Sequence, residues 1–295
     1  MSSGGKYYIT LWGGIGDFLK SYYSQNDWKK LENFKKQNPN TYIKAIVYSL
    51  NPTAKDVFTY HPAIDEMFIP QGKFMEIRKR GIVSGNRFSI KKLGQFYAND
   101  CVPLDSALKG NSKVKPSHPI IYLSEADKEQ LKEIFTKITK KFVVIHPFSA
   151  MDIDYPGTRT IISSEKYIPI IQGLAKKGYQ SIVLGATRAN RDELFEYEDE
   201  NTINLVSKIN IRVALSILKQ TDNFIGTNSC FMCYAFLEDK KCFVITNNSW
   251  KKKAFDNGFM KKYLAKPKNK IVFLPEKNND TQCVKIQNEA IDWFN

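Results

Sequence analysis

An acid directly after a glycine-rich turn is the first feature of this sequence that could do chemistry. Gly13-Gly14-Ile15-Gly16-Asp17 follows the short apolar run KYYITLW, a pattern typical of a buried strand that ends in a tight turn. A carboxylate there could accept a proton from an attacking hydroxyl group, while the glycine-exposed amides face an anion. An Asp that only caps the following helix fits the same pattern. The motif alone leaves both interpretations open.

The cysteines and histidines predict neither a zinc site nor a nucleophilic triad. Cys230 and Cys233 form a C-x-x-C pair, but a structural zinc site needs four ligands and the sequence has no second pair at a suitable spacing. We interpret both as small buried side chains on a helix. His61, His118 and His146 form no recognisable triad with a nucleophile, so we expect each of them to have a structural role.

Strands and helices that alternate along the chain must position these residues. Strands are predicted at 6–12, 42–48, 141–147, 180–185, 223–226 and 241–246, and helices at 17–23, 27–36, 124–139, 166–177, 212–219, 231–237 and 284–294. The alternation predicts parallel sheets with helical crossovers, and it restarts after the helix at 124–139. The expected fold class is therefore α/β, with two Rossmann-like, doubly wound domains that face a cleft and bind ligands at the carboxyl ends of their strands.

Length and composition agree with two globular domains. The chain has 295 residues, and we expect an N-terminal domain at 1–139, a C-terminal domain at 140–283 and a final helix at 284–295 that packs back on the N-terminal domain. The formal net charge of +14 favours anionic partners such as nucleotide diphosphates, glycan phosphates, lipid surfaces or nucleic acid. Five cysteines at irregular spacing, without a secretory start or a long apolar run, predict a cytoplasmic protein with at most peripheral membrane contact.

Four segments resemble glycosyltransferase family nine, the ADP-heptose:lipopolysaccharide heptosyltransferases. They are GGIGDF at 13–18, YHPAIDEMF at 60–68, IHPFSA at 145–150 and FIGTNSCFMCYAF at 224–236. The resemblance implies the GT-B fold, with acceptor binding by the N-terminal domain and nucleotide-sugar binding by the C-terminal domain. It also favours Asp17 as the base that takes the acceptor proton while the sugar leaves its nucleotide diphosphate with inversion.

The resemblance further implies a set of donor-binding residues in the second half of the chain. They are Thr158, Arg159, Thr160, Lys166, Gly185, Thr187, Thr227, Asn228, Ser229 and Cys230. The planar guanidinium of Arg159 suits a diphosphate because it can bind two oxygens at once. The segment IDYPGTRTIISSEKY departs from the family's usual Lys-Arg-Trp-Pro style, so Lys166 is an alternative cation. Asn228 and Cys233 replace the family's usual Asp and His, which leaves the identity of the donor open.

The acceptor is the least determined partner. Acceptor-side residues are expected at Gly14, Gly16, Arg78, Arg80 and Arg87. The resemblance implies a lipopolysaccharide-type glycan, whereas the basic loops, with Lys73, Lys79, Lys91 and Lys92, would also suit DNA that carries a hydroxylated base. A non-catalytic GT-B relic that binds nucleotide or nucleic acid is the third alternative. We expect no metal ion and no cofactor beyond the nucleotide-sugar co-substrate, because GT-B enzymes of the kind that this chain resembles generally need no bound metal.

Overall fold

The structure is a computed structural model in which each half of the chain has its own parallel sheet. It describes residues 5–12, 15–19, 27–48, 52–69, 101–104, 120–148, 163–186, 195–247, 261–263, 265–274 and 280–294. The chain divides into two compact units, Met1–Ser124 and Glu125–Asn295. A sheet of four strands belongs to the first unit and a sheet of six strands to the second.

The first unit alternates strands with helices, as the sequence predicts. Its elements are β1 (Lys6–Trp12), α1 (Ile15–Phe18), α2 (Asp27–Gln37), β2 (Tyr42–Tyr48), a 3-10 helix (Pro52–Phe58), β3 (Glu66–Phe68) and β4 (Val102–Pro103). The strands are parallel in the order β3-β2-β1-β4. In β2 the consecutive side chains Ala45, Ile46 and Val47 are all buried, which is typical of a parallel strand covered on both faces.

A carboxylate fixes the short edge strand of the first sheet. Asp65, directly before β3, accepts a hydrogen bond of 2.8 Å from the Ile43 backbone N–H in β2. The same carboxylate pairs with the Lys35 ammonium group of α2 at 2.7 Å. Asp65 thereby joins the edge strand, its neighbour and a covering helix, although β3 itself offers few apolar residues for burial.

The second unit repeats the alternation over a longer stretch. Its elements are α3 (Glu125–Thr136), β5 (Phe142–His146), a 3-10 helix (Ser164–Tyr167), α4 (Ile168–Lys176), β6 (Gln180–Val183), β7 (Thr202–Asn204), α5 (Ile211–Gln220), β8 (Asn223–Thr227), α6 (Cys230–Leu237), β9 (Lys241–Asn247), β10 (Asn269–Leu274) and α7 (Asp280–Trp293). All six strands are parallel in the order β10-β9-β8-β5-β6-β7.

The order of the six strands reverses next to β5. From β5 the chain proceeds outward through β6 to β7, then returns to β8 on the other side of β5 and proceeds through β9 to β10. This is the classical doubly wound order, and the helices that follow β5 and β8 must diverge to opposite faces of the sheet. The crevice at the carboxyl ends of β5 and β8 is therefore the topological switch point of the second unit.

Both faces of the second sheet are buried. Val143 and Ile145 of β5 pack with Ile170 of α4 and Ile286 of α7 in one hydrophobic cluster. The alternate residue Val144 points to the opposite face and is also fully buried. Burial on two faces explains why the strands of this unit are continuous apolar runs in the sequence.

The last helix packs within the second unit. Gly173 of α4 lies so close to α7 that an added Cβ would be 2.3 Å from the Ile291 side chain. The Lys177 ammonium group pairs with Asp292 at 3.1 Å, and Gln287 donates a hydrogen bond of 2.8 Å to the Lys166 carbonyl oxygen. The packing of this helix on the N-terminal domain stays a prediction. No helix in the described part of the chain is long and apolar enough to cross a membrane.

A buried ion pair holds α3 to α5. Asp127 of α3 accepts hydrogen bonds from Arg212 Nε at 2.8 Å and from Asn210 Nδ2 at 2.7 Å, and both members of the ion pair are buried. Asn210 also caps α5, because its Oδ1 accepts from the backbone N–H groups of Arg212 and Val213. The compact units divide after Ser124, whereas the sequence-based limit lies at residue 139, and the domain limits 1–139, 140–283 and 284–295 stay predictions.

Replacement of Asp127 by Ala should destabilise the second unit. The change leaves the Arg212 guanidinium buried without its carboxylate, and loss of one partner of a buried pair costs about 3–5 kcal/mol. The matched control is Lys128→Ala, whose ion pair with Glu125 on the same helix is exposed and should contribute less than about 1 kcal/mol. Urea unfolding followed by circular dichroism measures both, and equal losses in the two variants would contradict a structural role for the pair.

Candidate functional site

Asp17 follows the strand at which the first sheet reverses its order. The chain proceeds from β1 through β2 to β3 on one side, and β4 pairs with β1 on the other side. Helix α1 begins at Ile15, directly beyond the carboxyl end of β1, and its backbone includes both Gly16 and Asp17. Two of the residues predicted for acceptor binding and catalysis thus belong to the switch point of the first unit, where ligands of open parallel sheets bind.

The switch point of the second unit is formed by the ends of β5 and β8. In the parallel register His146 pairs with Gly226, and Thr227 is the last residue of β8. Helix α6 begins at Cys230, and the Ser229 hydroxyl caps it by accepting a hydrogen bond of 3.3 Å from the Met232 N–H. The first amides of an α-helix lack intrahelical acceptors and carry positive partial charge, so this turn suits an anionic ligand.

Close contact between the strands explains the glycine at position 226. A Cβ on Gly226 would lie 2.8 Å from the His146 carbonyl oxygen and 2.6 Å from the Phe224 ring. The first of these atoms belongs to the backbone of β5 and cannot move aside without a shift of the strand. Glycine therefore permits β5 and β8 to pair at the place where α6 departs.

Three aromatic side chains connect the ends of neighbouring strands. The His146 ring lies against Phe231 in the first turn of α6, with ring centroids 4.4 Å apart and an interplanar angle of 31°. Phe148 contacts the His146 ring edge-on, with centroids 6.0 Å apart. Phe148 also fills the space beside Gly185, where an added Cβ would be only 2.3 Å from its ring. Gly185 has a φ of 155°, which a residue with a Cβ rarely adopts.

The predicted donor-binding residues that the structure describes thus gather at one edge of the sheet. Gly185 follows β6, and Thr227, Asn228, Ser229 and Cys230 connect β8 to α6. The two groups lie on either side of β5, because its neighbours in the sheet are β6 and β8. The sequence analysis placed them together by resemblance, and the strand order accounts for it physically. Their role in binding a donor stays a prediction.

Lys166 is engaged by an acid. Its ammonium group pairs with Asp280 at 2.8 Å, at the start of α7. The hydrogen bond that Lys166 donates to the Asp280 carboxylate raises the pKa of Lys166, so the lysine is a cation at neutral pH. A donor phosphate at Lys166 would have to compete with the Asp280 carboxylate. The proposed role of Lys166 as a phosphate ligand stays a prediction.

The remaining predicted site residues lie outside the described residues. They are Gly14, Arg78, Arg80, Arg87, Thr158, Arg159, Thr160 and Thr187. In the described part of the chain, no group of three His, Cys, Asp or Glu side chains is placed to hold a metal ion. The five cysteines, all in the described part of the chain, form no disulfide: Cys101 and Cys230 are partly exposed, and Cys233, Cys242 and Cys283 are buried.

His146 is the residue whose position the sequence analysis did not anticipate. It was interpreted as structural, yet its Nδ1 is buried and has no hydrogen-bond partner among the described residues. The Thr227 hydroxyl, at the end of the paired strand, has no partner among them either. Burial lowers the pKa of His146 to about 3, which keeps the imidazole neutral at physiological pH. The only local signal was a polar residue at the end of the apolar run FVVIH.

The free energy of unfolding should fall as the pH decreases from 7 to 5. An unfolded histidine binds a proton near pH 6.5 but folded His146 only near pH 3, so the unfolded state holds more protons throughout this interval. His61, whose pKa burial also lowers, acts in the same direction. Urea unfolding at both pH values should show that His146→Phe loses about 1–2 kcal/mol less than the parent chain. Equal losses would contradict a neutral buried His146.

Comparison with known proteins agrees with this architecture. No family model and no curated protein sequence matches the chain. A family 9 glycosyl transferase from Veillonella parvula DSM 2008 matches 99% of this chain with 98% of its own, at a TM-score of 0.58 and 13% identity. E. coli ADP-heptose LPS heptosyltransferase II matches 97% with 98% of its own, at a TM-score of 0.56 and 14% identity. E. coli heptosyltransferase WaaC, solved with ADP-2-deoxy-2-fluoro heptose, matches 98% with 98% of its own, at a TM-score of 0.50 and 11% identity. The resemblance seen in the sequence is therefore confirmed at the level of the fold: the chain has the GT-B fold of the family-nine glycosyltransferases.

Proposed function

We propose that this protein is an inverting glycosyltransferase that moves a sugar from a nucleotide-diphosphate donor to a hydroxyl group of an anionic acceptor. The observation that carries the proposal is the switch point of the second sheet. There, a capped helix begins at the carboxyl end of β8, beside the glycine that lets β5 and β8 pair. Doubly wound folds bind nucleotide phosphates at such a crevice because the strand ends and the helix amides converge there.

The donor is assigned to the second unit. Its diphosphate would contact the first turn of α6 at Asn228, Ser229 and Cys230, and the turn at Gly185 would hold the ribose or base. The ADP-linked sugar in the E. coli WaaC structure supports a nucleotide-sugar donor of this kind. Arg159, with Thr158 and Thr160, is assigned to the charge that builds on the departing diphosphate, as the sequence resemblance implies.

The base is assigned to the first unit, at Asp17. In the proposed step an acceptor hydroxyl oxygen attacks the anomeric carbon and forms the new glycosidic bond. The bond from that carbon to the diphosphate oxygen breaks, and the electron pair leaves with the nucleotide diphosphate. Asp17 takes the hydroxyl proton, so that a neutral ether oxygen remains in the product. The anomeric configuration inverts because the attack and the departure occur on opposite faces.

The acceptor is proposed to be a lipopolysaccharide-type glycan. Support comes from the formal net charge of +14, which attracts phosphorylated acceptors, and from the heptosyltransferase neighbours. DNA with a hydroxylated base would satisfy the same charge and is the competing acceptor class.

Replacement of Asp17 by Asn should abolish transfer and leave donor binding intact. A positioned general base contributes about 10²–10⁴-fold to the rate, so the product should fall by at least about 100-fold. Mass spectrometry detects the added sugar after incubation with mixed nucleotide sugars and either lipopolysaccharide core oligosaccharide or hydroxymethylated DNA. Calorimetry measures the affinity for nucleoside diphosphate, which should equal that of the parent chain.

The matched control is Asp222→Asn. Asp222 is an exposed acid directly before the amino end of β8, whereas the proposed site is at the carboxyl end of that strand. It should transfer sugar at the parental rate. Undiminished transfer by Asp17→Asn would disprove the assigned base. A sugar found only on the DNA would identify the competing acceptor, and nucleotide binding without any product would indicate a non-catalytic protein.

Nucleoside diphosphate should protect Cys230 from alkylation. Cys230 is partly exposed at the first turn of α6, whereas Cys233 in the next turn is buried. A diphosphate at this turn covers the thiol, so iodoacetamide labelling should slow by about tenfold at a ligand concentration near ten times Kd. Peptide mass spectrometry gives the rate, and Cys101 in the first unit, which is also partly exposed, is the reference thiol. Equal labelling of Cys230 with and without a bound nucleotide would contradict the assigned phosphate site.

A further inference from the structure

Two buried polar atoms at the carboxyl ends of the central strands of the second sheet have no hydrogen-bond partner among the described residues. They are His146 Nδ1 at the end of β5 and Thr227 Oγ1 at the end of β8. Buried polar side chains are almost always hydrogen-bonded, because an unmade bond costs free energy that the fold must recover elsewhere. His146 pairs with Gly226 in the sheet register and Thr227 follows Gly226, so the two side chains point to opposite faces of the sheet, and only His146 lies on the face of Phe224 and Val144.

The imidazole ring also lies next to the first turn of α6. It packs at 4.4 Å against Phe231, the second residue of that helix. The amides of this turn lack intrahelical acceptors, and the helix dipole adds positive partial charge. A buried side chain with an unbonded ring nitrogen therefore lies beside a helix N-terminus.

The other described histidine, His61, has different hydrogen-bonding surroundings. His61 Nδ1 accepts a hydrogen bond of 3.2 Å from the Ala63 backbone N–H, and its Nε2 lies 3.5 Å from a Glu32 carboxylate oxygen. Tyr122 donates to the same carboxylate. One ring nitrogen of His61 thus accepts a hydrogen bond and the other faces a carboxylate at ion-pair distance, whereas His146 Nδ1 has neither among the described residues.

We infer that His146 is a donor-binding residue whose imidazole N–H donates a hydrogen bond to a phosphate oxygen held at the first turn of α6. The inference rests on the proposed function and adds to it a residue that the resemblance did not supply. The aromatic contacts with Phe231 and Phe148 fix the ring in place, so that little side-chain entropy is lost when the ligand binds.

A neutral imidazole suits this position. Its N–H forms a charge-assisted hydrogen bond with a phosphate oxygen, which is stronger than a bond between two neutral groups. A lysine or arginine buried among these aromatic rings would carry its charge into an apolar site whenever no ligand is bound, which is unfavourable. The buried Nδ1 is thus tolerated in the empty protein and bonded in the complex.

The test compares His146→Phe and His146→Gln with the parent chain. Phenylalanine keeps the contact with Phe231 and removes the nitrogen atoms, whereas glutamine restores an N–H donor. Calorimetry with ADP, UDP and GDP first identifies the nucleotide that the parent binds, and the matching nucleoside without phosphate serves as the second ligand. His146→Phe should lose about tenfold in affinity for the diphosphate and nothing for the nucleoside. His146→Gln should recover part of the loss.

Thermal unfolding of the free proteins separates ligand binding from folding. Removal of an unbonded buried polar atom should leave the Tm of His146→Phe at or above the parental value. The matched control is Ser181→Ala, which removes another buried hydroxyl without a described partner, but near the amino end of β6. Its diphosphate affinity should equal that of the parent chain.

Each outcome has one meaning. Equal diphosphate affinity of the parent and His146→Phe overturns the inference and leaves the proposed function standing. A Tm of His146→Phe well below the parental value, with nucleoside binding also lost, assigns His146 to the fold and overturns the inference as well. A parent chain that binds none of the three nucleotides overturns the proposed function itself.

Discussion

The pairing of β5 with β8 is the constraint on which the second unit depends. Its register brings Gly226 against the His146 carbonyl oxygen, at a distance that excludes any Cβ. Because the chain leaves β5 in one direction and β8 in the other, a crevice forms between the carboxyl ends of these two strands. The register of this pair therefore places the loop from Thr227 to Cys230 at the crevice where we propose that the donor binds.

The helices of the second unit are held in place in two different ways. The Asp127 carboxylate pairs with Arg212 and accepts a hydrogen bond from Asn210, and these contacts hold α3 against α5. The other covering helices α4 and α7 need no comparable group, since an apolar cluster joins them to the strands. Buried polar groups with satisfied hydrogen bonds thus orient α3 and α5, whereas the burial of apolar surface stabilises the packing of α4 and α7.

The long elements could be predicted from sequence because the local spacing of apolar and polar residues indicates which of their side chains are buried. The run YIKAIVY coincides with β2, and α5 begins within one residue of its predicted start, since Asn210 caps a strongly amphipathic segment. The short strands β3, β7 and β10 were not predicted. Three-residue strands such as EMF and TIN are too short to show a repeating pattern of apolar residues, and the edge strand β10 is only half-buried. These segments become strands because they pair with neighbours that are distant in sequence.

The residues of the candidate site also divide into those that a local pattern predicts and those that only the assembled sheet brings together. Asp17 and the segment from Thr227 to Cys230 stand directly after apolar runs, so a local pattern sufficed to find them. His146 stands after such a run as well, yet its neighbours Phe231 and Gly226 come from the distant β8 and α6 segment, and only the register brings them together. The lack of a partner at Nδ1 is a property of the assembled sheet that no window of sequence contains.

Low sequence identity with a shared fold follows from how this architecture is stabilised. A doubly wound sheet requires strands that are apolar on both faces, and Val, Ile, Leu and Phe satisfy this requirement interchangeably. At 13% or 14% identity over nearly whole chains, the fold is kept while most side chains differ. The residues that we propose as ligand contacts stand at strand ends, outside this requirement, and can change without loss of the fold. Asn228 lies at such an end, so the choice of donor can differ from that of the structural neighbours although the sheet beneath it is the same.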